Sequence, residues 1–118
     1  MEYSQEALLD LNIINGLKEL DDDGSDTFFK EILAVYAEQF PLMTAKILAA
    51  IEANNPDDLA RAAHTLKGAS LNIGAREMSA ICRTIEFRGK DRQLEQIELL
   101  VDTLQTVYGL TLAEIDQL

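Results

Sequence analysis

Apolar residues return every three or four positions along most of this chain, and no stretch alternates apolar with polar residues as a half-buried strand would. The spacing predicts a short first helix over about Leu11 to Leu20, then the polar turn Asp21-Asp22-Asp23-Gly24. Ser25 or Asp26 is placed to cap a second helix carrying Phe28, Phe29, Ile32, Leu33, Tyr36 and Phe40 on one stripe. Pro41 is expected to kink or break it, with Leu42, Met43, Ile47, Leu48 and Ile51 continuing the stripe. Asn54-Asn55-Pro56-Asp57-Asp58 is a strong start for a third helix. Asn55 can cap, proline suits the first helical position, and two aspartates meet the positive end of the dipole.

That third helix is expected to run to about Ile73 and stop at Gly74. A fourth, about Ala75 to Arg88, has Met78, Ile81, Cys82 and Ile85 on one stripe and is expected to end at Gly89. Asp91 is placed to cap a fifth, with Leu94, Ile97, Val101, Leu104 and Tyr108 in near-heptad rhythm. Thr111 and Glu114 have capping-box spacing, which predicts a separate short helix after Gly109. Amphipathic helices joined by short turns favour an all-α protein, an antiparallel four-helix bundle with a short additional N-terminal helix. No repeat, low-complexity tract or linker divides the chain, so residues 1–118 read as a single domain.

Charge sharpens this picture. The formal net charge of -11 argues against nucleic acid and anionic membranes as partners. Yet between Arg61 and Arg92 seven basic residues (Arg61, Lys67, Arg76, Arg83, Arg88, Lys90, Arg92) face three acids (Glu77, Glu86, Asp91), a local balance of +4 against -15 elsewhere. A locally basic segment of this kind suits an acidic partner or a phosphoryl group, although solvated helix faces also vary in charge. Cys82 is the only cysteine, which fits a reducing compartment. No apolar run is expected to approach the ~20 residues of a membrane span, and the acidic N-terminus does not resemble a signal peptide. A soluble cytoplasmic protein is expected, either free-standing or one domain of a larger receptor.

The basic segment holds the only histidine, His64. With ~100° per residue and Leu59 at zero, Ala63, Leu66, Ser70 and Ile73 fall within about 40° of it and Ala62 at about 300°. His64 falls at about 140°, Lys67 at about 80°, Leu71 at about 120°, Gly68 at about 180° and Arg61 at about 200° on the same wheel. The first group is the buried stripe; His64 points away from it, among Arg61, Lys67, Gly68 and Leu71. A lone histidine is most often an ordinary surface residue, and Lys67 an ordinary solvated lysine. Gly68 is harder to dismiss, because glycine in an exposed helix costs ~1 kcal/mol relative to alanine. It removes bulk one turn from the imidazole, and Leu71 offers a partner apolar area to bury.

The segment His64-Thr65-Leu66-Lys67-Gly68-Ala69-Ser70, with Gly74-Ala75 after it and Ala60-Arg61-Ala62-Ala63 before it, resembles the signature of histidine-containing phosphotransfer domains of multistep phosphorelays. The Asn54 to Asp58 cap and the order of helices fit the same family. The resemblance implies that His64 accepts a phosphoryl group, that Lys67 helps hold its charge and that Gly68 allows close approach. Ala60, Arg61 and Leu71 are then expected to face the partner. The implied partners are the receiver domain of a response regulator and a sensor or hybrid histidine kinase, with no nucleic acid, membrane or dimer partner required. Some family members have a glutamine on the next helix near the histidine. The position aligned with it here is Glu86, where a carboxylate would repel a phosphoryl group, so no role is carried onto it.

The chemistry is consistent with that implication. A neutral imidazole is a good nucleophile near neutral pH, and phosphoryl transfer depends mostly on positioning and charge neutralisation. The six glycines are scattered, so no phosphate-binding loop is present, and no magnesium-binding cluster is evident near His64. The carrier is therefore expected to have no cofactor and no ATP site of its own, with Mg²⁺ supplied by the partner receiver. Asp21, Asp22 and Asp23 read better as a capping turn than as a cation site. One histidine and one core-facing cysteine do not make a metal ligand set. Two other readings stay open at this point: a helical adaptor that binds a receiver without taking phosphate, and a fragment of a hybrid or chemotaxis-type kinase.

Overall fold

In the computed structural model, which describes residues 3–118, the chain forms α1 (Gln5–Leu8), α2 (Leu11–Lys18), α3 (Thr27–Glu52), α4 (Pro56–Asn72), α5 (Arg76–Lys90) and α6 (Ile97–Asp116). The fold is all-helical, as the periodicity predicts. Helices α3 to α6 make the bundle, with α4 packed most extensively on α5 and then on α3. The short α1 and α2 close one end. There Asp10 N–H donates to Gly74 O at 2.8 Å, and Arg76 donates to Glu6 O at 3.1 Å, so the entering chain is tied to the α4–α5 turn.

Local rules explain most boundaries. Asn55 accepts from Asp58 N–H, and Pro56 occupies the first position of α4, as expected. Gly74 takes φ +79°, and a Cβ there would meet Asp10 O and Ile14 Cγ1 at 2.9 Å each. Only glycine allows that turn to sit against α2. The start of α3 differs from expectation. Asp26 is left-handed and makes no side-chain cap; Phe28 N–H instead donates to Asp21 Oδ2 at 2.8 Å and Thr27 N–H to Ser25 Oγ at 3.3 Å. Asp23 Oδ1 accepts from Ser25 N–H, so Asp23 bonds backbone within the turn while Asp21 bonds the first turn of α3.

The other departures share a cause. Pro41 does not break α3, because Phe29, Tyr36 and Phe40 before it and Thr44, Ile47 and Ala50 after it are buried in the same core. Thr44 Oγ1 donates to Phe40 O and Pro41 O across this point. Gly109 does not break α6, and Thr111 does not cap a new helix. Thr111 is buried in continuous helix and donates to Val107 O, while Glu114 accepts from Gln5 of α1. Asp91 ends α5 rather than starting α6, and α2 stops at Lys18, before Leu20. Core contacts on both sides of each internal breaker outweigh a local preference of ~1–3 kcal/mol. Helix α3, taken whole, is long and apolar enough to cross a membrane by length and composition. Here its buried side is one wall of the bundle core.

Tyr36 OH bonds Ser70 Oγ at 2.8 Å inside the core, and Ser70 Oγ in turn donates to Leu66 O. The buried polar atoms of α3 and α4 thus satisfy one another. Phe40 and Tyr108 stack with ring centroids 3.6 Å apart.

Gly89 does not terminate α5; it is buried within the helix. A Cβ on it would meet Pro56 O at 2.9 Å, Ala60 N at 3.0 Å and Ala60 Cβ at 3.1 Å. Its missing side chain is what lets α4 and α5 approach. Gly109 is exposed, with nothing within 4 Å of a built Cβ. Gly109→Ala is therefore expected to stabilise the protein by about 0.5–1 kcal/mol in urea unfolding, through helix propensity. Gly89→Ala is expected to destabilise it by about 1–3 kcal/mol despite the same propensity gain, because the seam must open.

Candidate functional site

The wheel of α4 is realised as drawn. Leu59, Ala62, Ala63, Leu66, Ser70 and Ile73 are buried, whereas Arg61, His64 and Leu71 are exposed. The His64 side chain is 66% exposed and that of Lys67 only 23%. The difference comes from α5, which brings Glu86 to this face. Glu86 Oε2 lies 2.9 Å from His64 Nδ1, and Oε1 lies 2.6 Å from Lys67 Nζ. Lys90, one turn further along α5, reaches Oε2 at 3.1 Å. The carboxylate itself is 3% exposed.

A carboxyl group this deep is pushed toward its neutral form by burial. The hydrogen bonds from Lys67, Lys90 and His64 act the other way and prevail, holding its pKa at about 2. Glu86 is thus ionised near neutral pH and acts only as an acceptor. The ring nitrogen facing it must then carry the proton. In a neutral imidazole that leaves the lone pair on Nε2, the nitrogen not engaged with Glu86. One buried anion thereby fixes ring orientation and tautomer together.

Glu86 does not make the site negative. Lys67 and Lys90 together outweigh it, leaving a local surplus of one positive charge before His64 is counted. The repulsion expected of a carboxylate at this position is offset by these neighbours. The Lys67 ammonium has three N–H donors and spends one on Glu86, so two remain for an incoming anion.

The remaining candidates divide. Gly68 lies beside His64 on the helix surface, with nothing within 4 Å of a built Cβ. Leu71 is 50% exposed and borders an open groove with Arg76, Arg83 and Phe87 of α5. In that groove the Arg83 guanidinium lies 5.2 Å from the centre of the Phe87 ring. Arg61 is exposed but turns to Asp58, 3.1 Å away on its own helix, and is outside the Glu86 cluster. Ala60 is half-buried against Gly89 on the α4–α5 seam rather than on open surface. Cys82 is buried, which pushes its thiol up to about 12. It stays protonated and is no nucleophile.

Sequence reasoning sets Glu86 aside and misses Lys90. A signal for both is present. Glu86 falls on the buried stripe of α5 with Met78, Cys82, Ile85 and Gly89, and an acid in such a stripe must find cations. Lys90 stands at i+4.

A bundle whose exposed helix carries one histidine, backed by a buried acid and flanked by lysine and glycine, defines a class. The chain belongs to the Hpt domain family, whose profile matches residues 31–110. Multistep phosphorelay regulator 1 of Schizosaccharomyces pombe is 32% identical over 90 residues, covering 76% of this chain and 30% of that protein. Histidine-containing phosphotransfer protein 2 of Arabidopsis thaliana is 27% identical over 100 residues, 76% of this chain and 64% of that one. The chain thus spans less than two thirds of the length of either relative. Its fold is similar to the crystal structure of a histidine-containing phosphotransfer protein from Medicago truncatula. The TM-score is 0.84 at 24% identity, covering 96% of this chain and 78% of that one.

The Glu86 cluster makes a prediction about acid stability. The folded pKa of about 2 lies below the ordinary value of 4.5. The cluster's contribution is therefore fully present above the ordinary value and is lost as pH falls from there through the folded one. The stability difference between wild type and Glu86→Gln, measured by denaturant unfolding, should be constant at neutral pH and shrink as pH falls across that window. A difference that is the same at both ends of the window would contradict the assignment.

Proposed function

We propose that this protein is a phosphorelay intermediate in which His64 Nε2 accepts a phosphoryl group from the aspartyl phosphate of a receiver domain, or from a kinase, and passes it to the aspartate of a response regulator. The observation that carries this reading is the pairing of exposed His64 with buried Glu86. It supports an outward nucleophilic nitrogen without a catalytic base. Lys67 supplies charge for the phosphoryl oxygens, and Gly68 leaves the surface beside the ring open to a partner.

The chain acts as a carrier, with no ATP site and no autokinase activity. Mg²⁺ and the acidic residues that bind it come with the receiver domain. Residues 1–118 serve as one domain, monomeric and cytoplasmic. The partner contact is centred on His64 and extends over Arg61 and Leu71, with Ala60 at its edge. The positive balance of the Arg61 to Arg92 segment supports an acidic partner surface.

The test is intact mass after mixing with a phosphorylated receiver and Mg²⁺. Wild type should gain one acid-labile phosphoryl group and His64→Gln none; no gain with a panel of receivers would favour a non-transferring adaptor. Lys67→Ala should slow transfer by roughly 100–1,000-fold, the scale of one lost charge-stabilising donor. Gly68→Gln should slow transfer while leaving the unfolding free energy within about 1 kcal/mol of wild type, because nothing lies within 4 Å of that Cβ position. Unchanged transfer in the Gly68 variant would remove the steric role.

A further inference from the structure

We infer that Glu86 keeps a proton on His64 Nδ1 through the whole transfer cycle, so that no proton is gained or lost when the phosphoryl group moves. This rests on the reading of His64 as acceptor. The geometry is the direct bond of 2.9 Å from Nδ1 to a carboxylate that is 3% exposed and anchored on its other side by Lys67 at 2.6 Å and Lys90 at 3.1 Å. Glu86 is too constrained to turn away from the ring, and it cannot itself donate while ionised.

The step balances as follows. The Nε2 lone pair attacks phosphorus in the partner's aspartyl phosphate. The Nε2–P bond forms, the P–O bond to aspartate breaks, and that electron pair leaves with the aspartate carboxylate. His64 is then an N-phosphoimidazolium with its Nδ1–H still donating to Glu86. In the forward step to a second aspartate, the carboxylate attacks phosphorus and the Nε2–P bond breaks. The ring leaves as neutral imidazole because Nδ1 has kept its proton. Without that proton the ring would have to leave as imidazolate, a far poorer leaving group.

An imidazole phosphorylated on one nitrogen can shed the proton of the other near neutral pH, which would make the phosphoprotein inert as a donor. The surroundings favour such a loss. Lys67 and Arg61 flank His64 on α4; Arg83 and Lys90 stand one turn to either side of Glu86 on α5; and Lys46 of α3 shares a groove with Arg61 and Thr65. Asp58 is paired with Arg61. Among the described residues, Glu86 is the one carboxylate bonded to the ring, so it is the anion that holds the ring proton directly against these cations. Glu86 is in this sense a positioning residue for a proton, and it makes phosphohistidine a ready donor.

The experiment uses protein with ¹⁵N-labelled histidine, whose single histidine gives one Nδ1 signal. Wild type and Glu86→Gln are phosphorylated with phosphoramidate and, separately, with a phosphorylated receiver. Nδ1 protonation is then read by ¹⁵N NMR from pH about 6.5 to 9, spanning the range around and above the ordinary imidazole value. Wild type should keep the Nδ1 proton to at least about one pH unit higher than the variant, the scale on which an adjacent opposite charge acts. The ratio of wild-type to variant transfer rate to one receiver should rise with a slope of up to about tenfold per pH unit between the variant's midpoint and the wild type's, and level off above both, as one proton requires. Coincident titrations, or a rate ratio flat with pH, would overturn the inference while leaving His64 as acceptor. Loss of the wild-type Nδ1 proton by about neutral pH, where a free ring would also lose it, overturns it even if the variant fails to fold. Absence of phosphohistidine with either donor removes both this inference and the function it rests on.

Discussion

The site depends on one buried anion. Glu86 sits on the apolar stripe of α5, where an isolated carboxylate would be strongly disfavoured, and it is stable there only because three donors converge on it. Two come from α4 and one from its own helix. The arrangement therefore locks α4 against α5 in a single rotational setting. A buried ion cluster of this kind adds little net stability compared with a well-packed apolar contact. Its consequence is geometric: the ring of His64 has one nitrogen spoken for and one free.

The backbone makes that convergence reachable. Gly89 brings α5 so close to the start of α4 that even one carbon would meet Pro56 O and the Ala60 backbone. With the helices this near, a glutamate side chain spans the seam to both His64 and Lys67. At the other end of the seam, Gly74 and the bond from Asp10 to Gly74 O fix the α4–α5 turn against the N-terminal segment. Two glycines with opposite uses thus set the spacing and the connection of the same helix pair. Gly68, on α4 itself, leaves open space on the outer face where a partner would approach.

What can be read from the chain follows from how local the cause is. The faces of α4 are legible because helical periodicity alone decides them, and Asn55-Pro56 is legible because capping is local. The breakers are not. Pro41 and Gly109 are poor helix formers, but each lies inside a helix whose two halves share one core, and tertiary packing overrides propensity; Gly89 sits in the last turn of α5, one residue before its end. Gly89 and Gly109 look alike in sequence but differ in their place along the helix and in what lies opposite them. The start of α3 depends on Asp21, which reaches forward seven positions after a turn whose path no single residue dictates. Charge alone misjudges Glu86. Its meaning lies in the lysines around it, one of which is on another helix.

The net charge makes the same point at a larger scale. A chain of net charge -11 carries a balance of +4 between Arg61 and Arg92, the stretch that holds His64, Glu86 and both of the lysines that pair with it. The central claim is that the Glu86 cluster presents Nε2, and not Nδ1, as the phosphoryl acceptor. The most direct measurement is the one-bond ³¹P–¹⁵N coupling in histidine-labelled, phosphorylated protein. Coupling of phosphorus to Nε2, with Nδ1 still protonated, is the predicted result. Coupling to Nδ1, or a phosphoryl group on any other residue, would contradict the account.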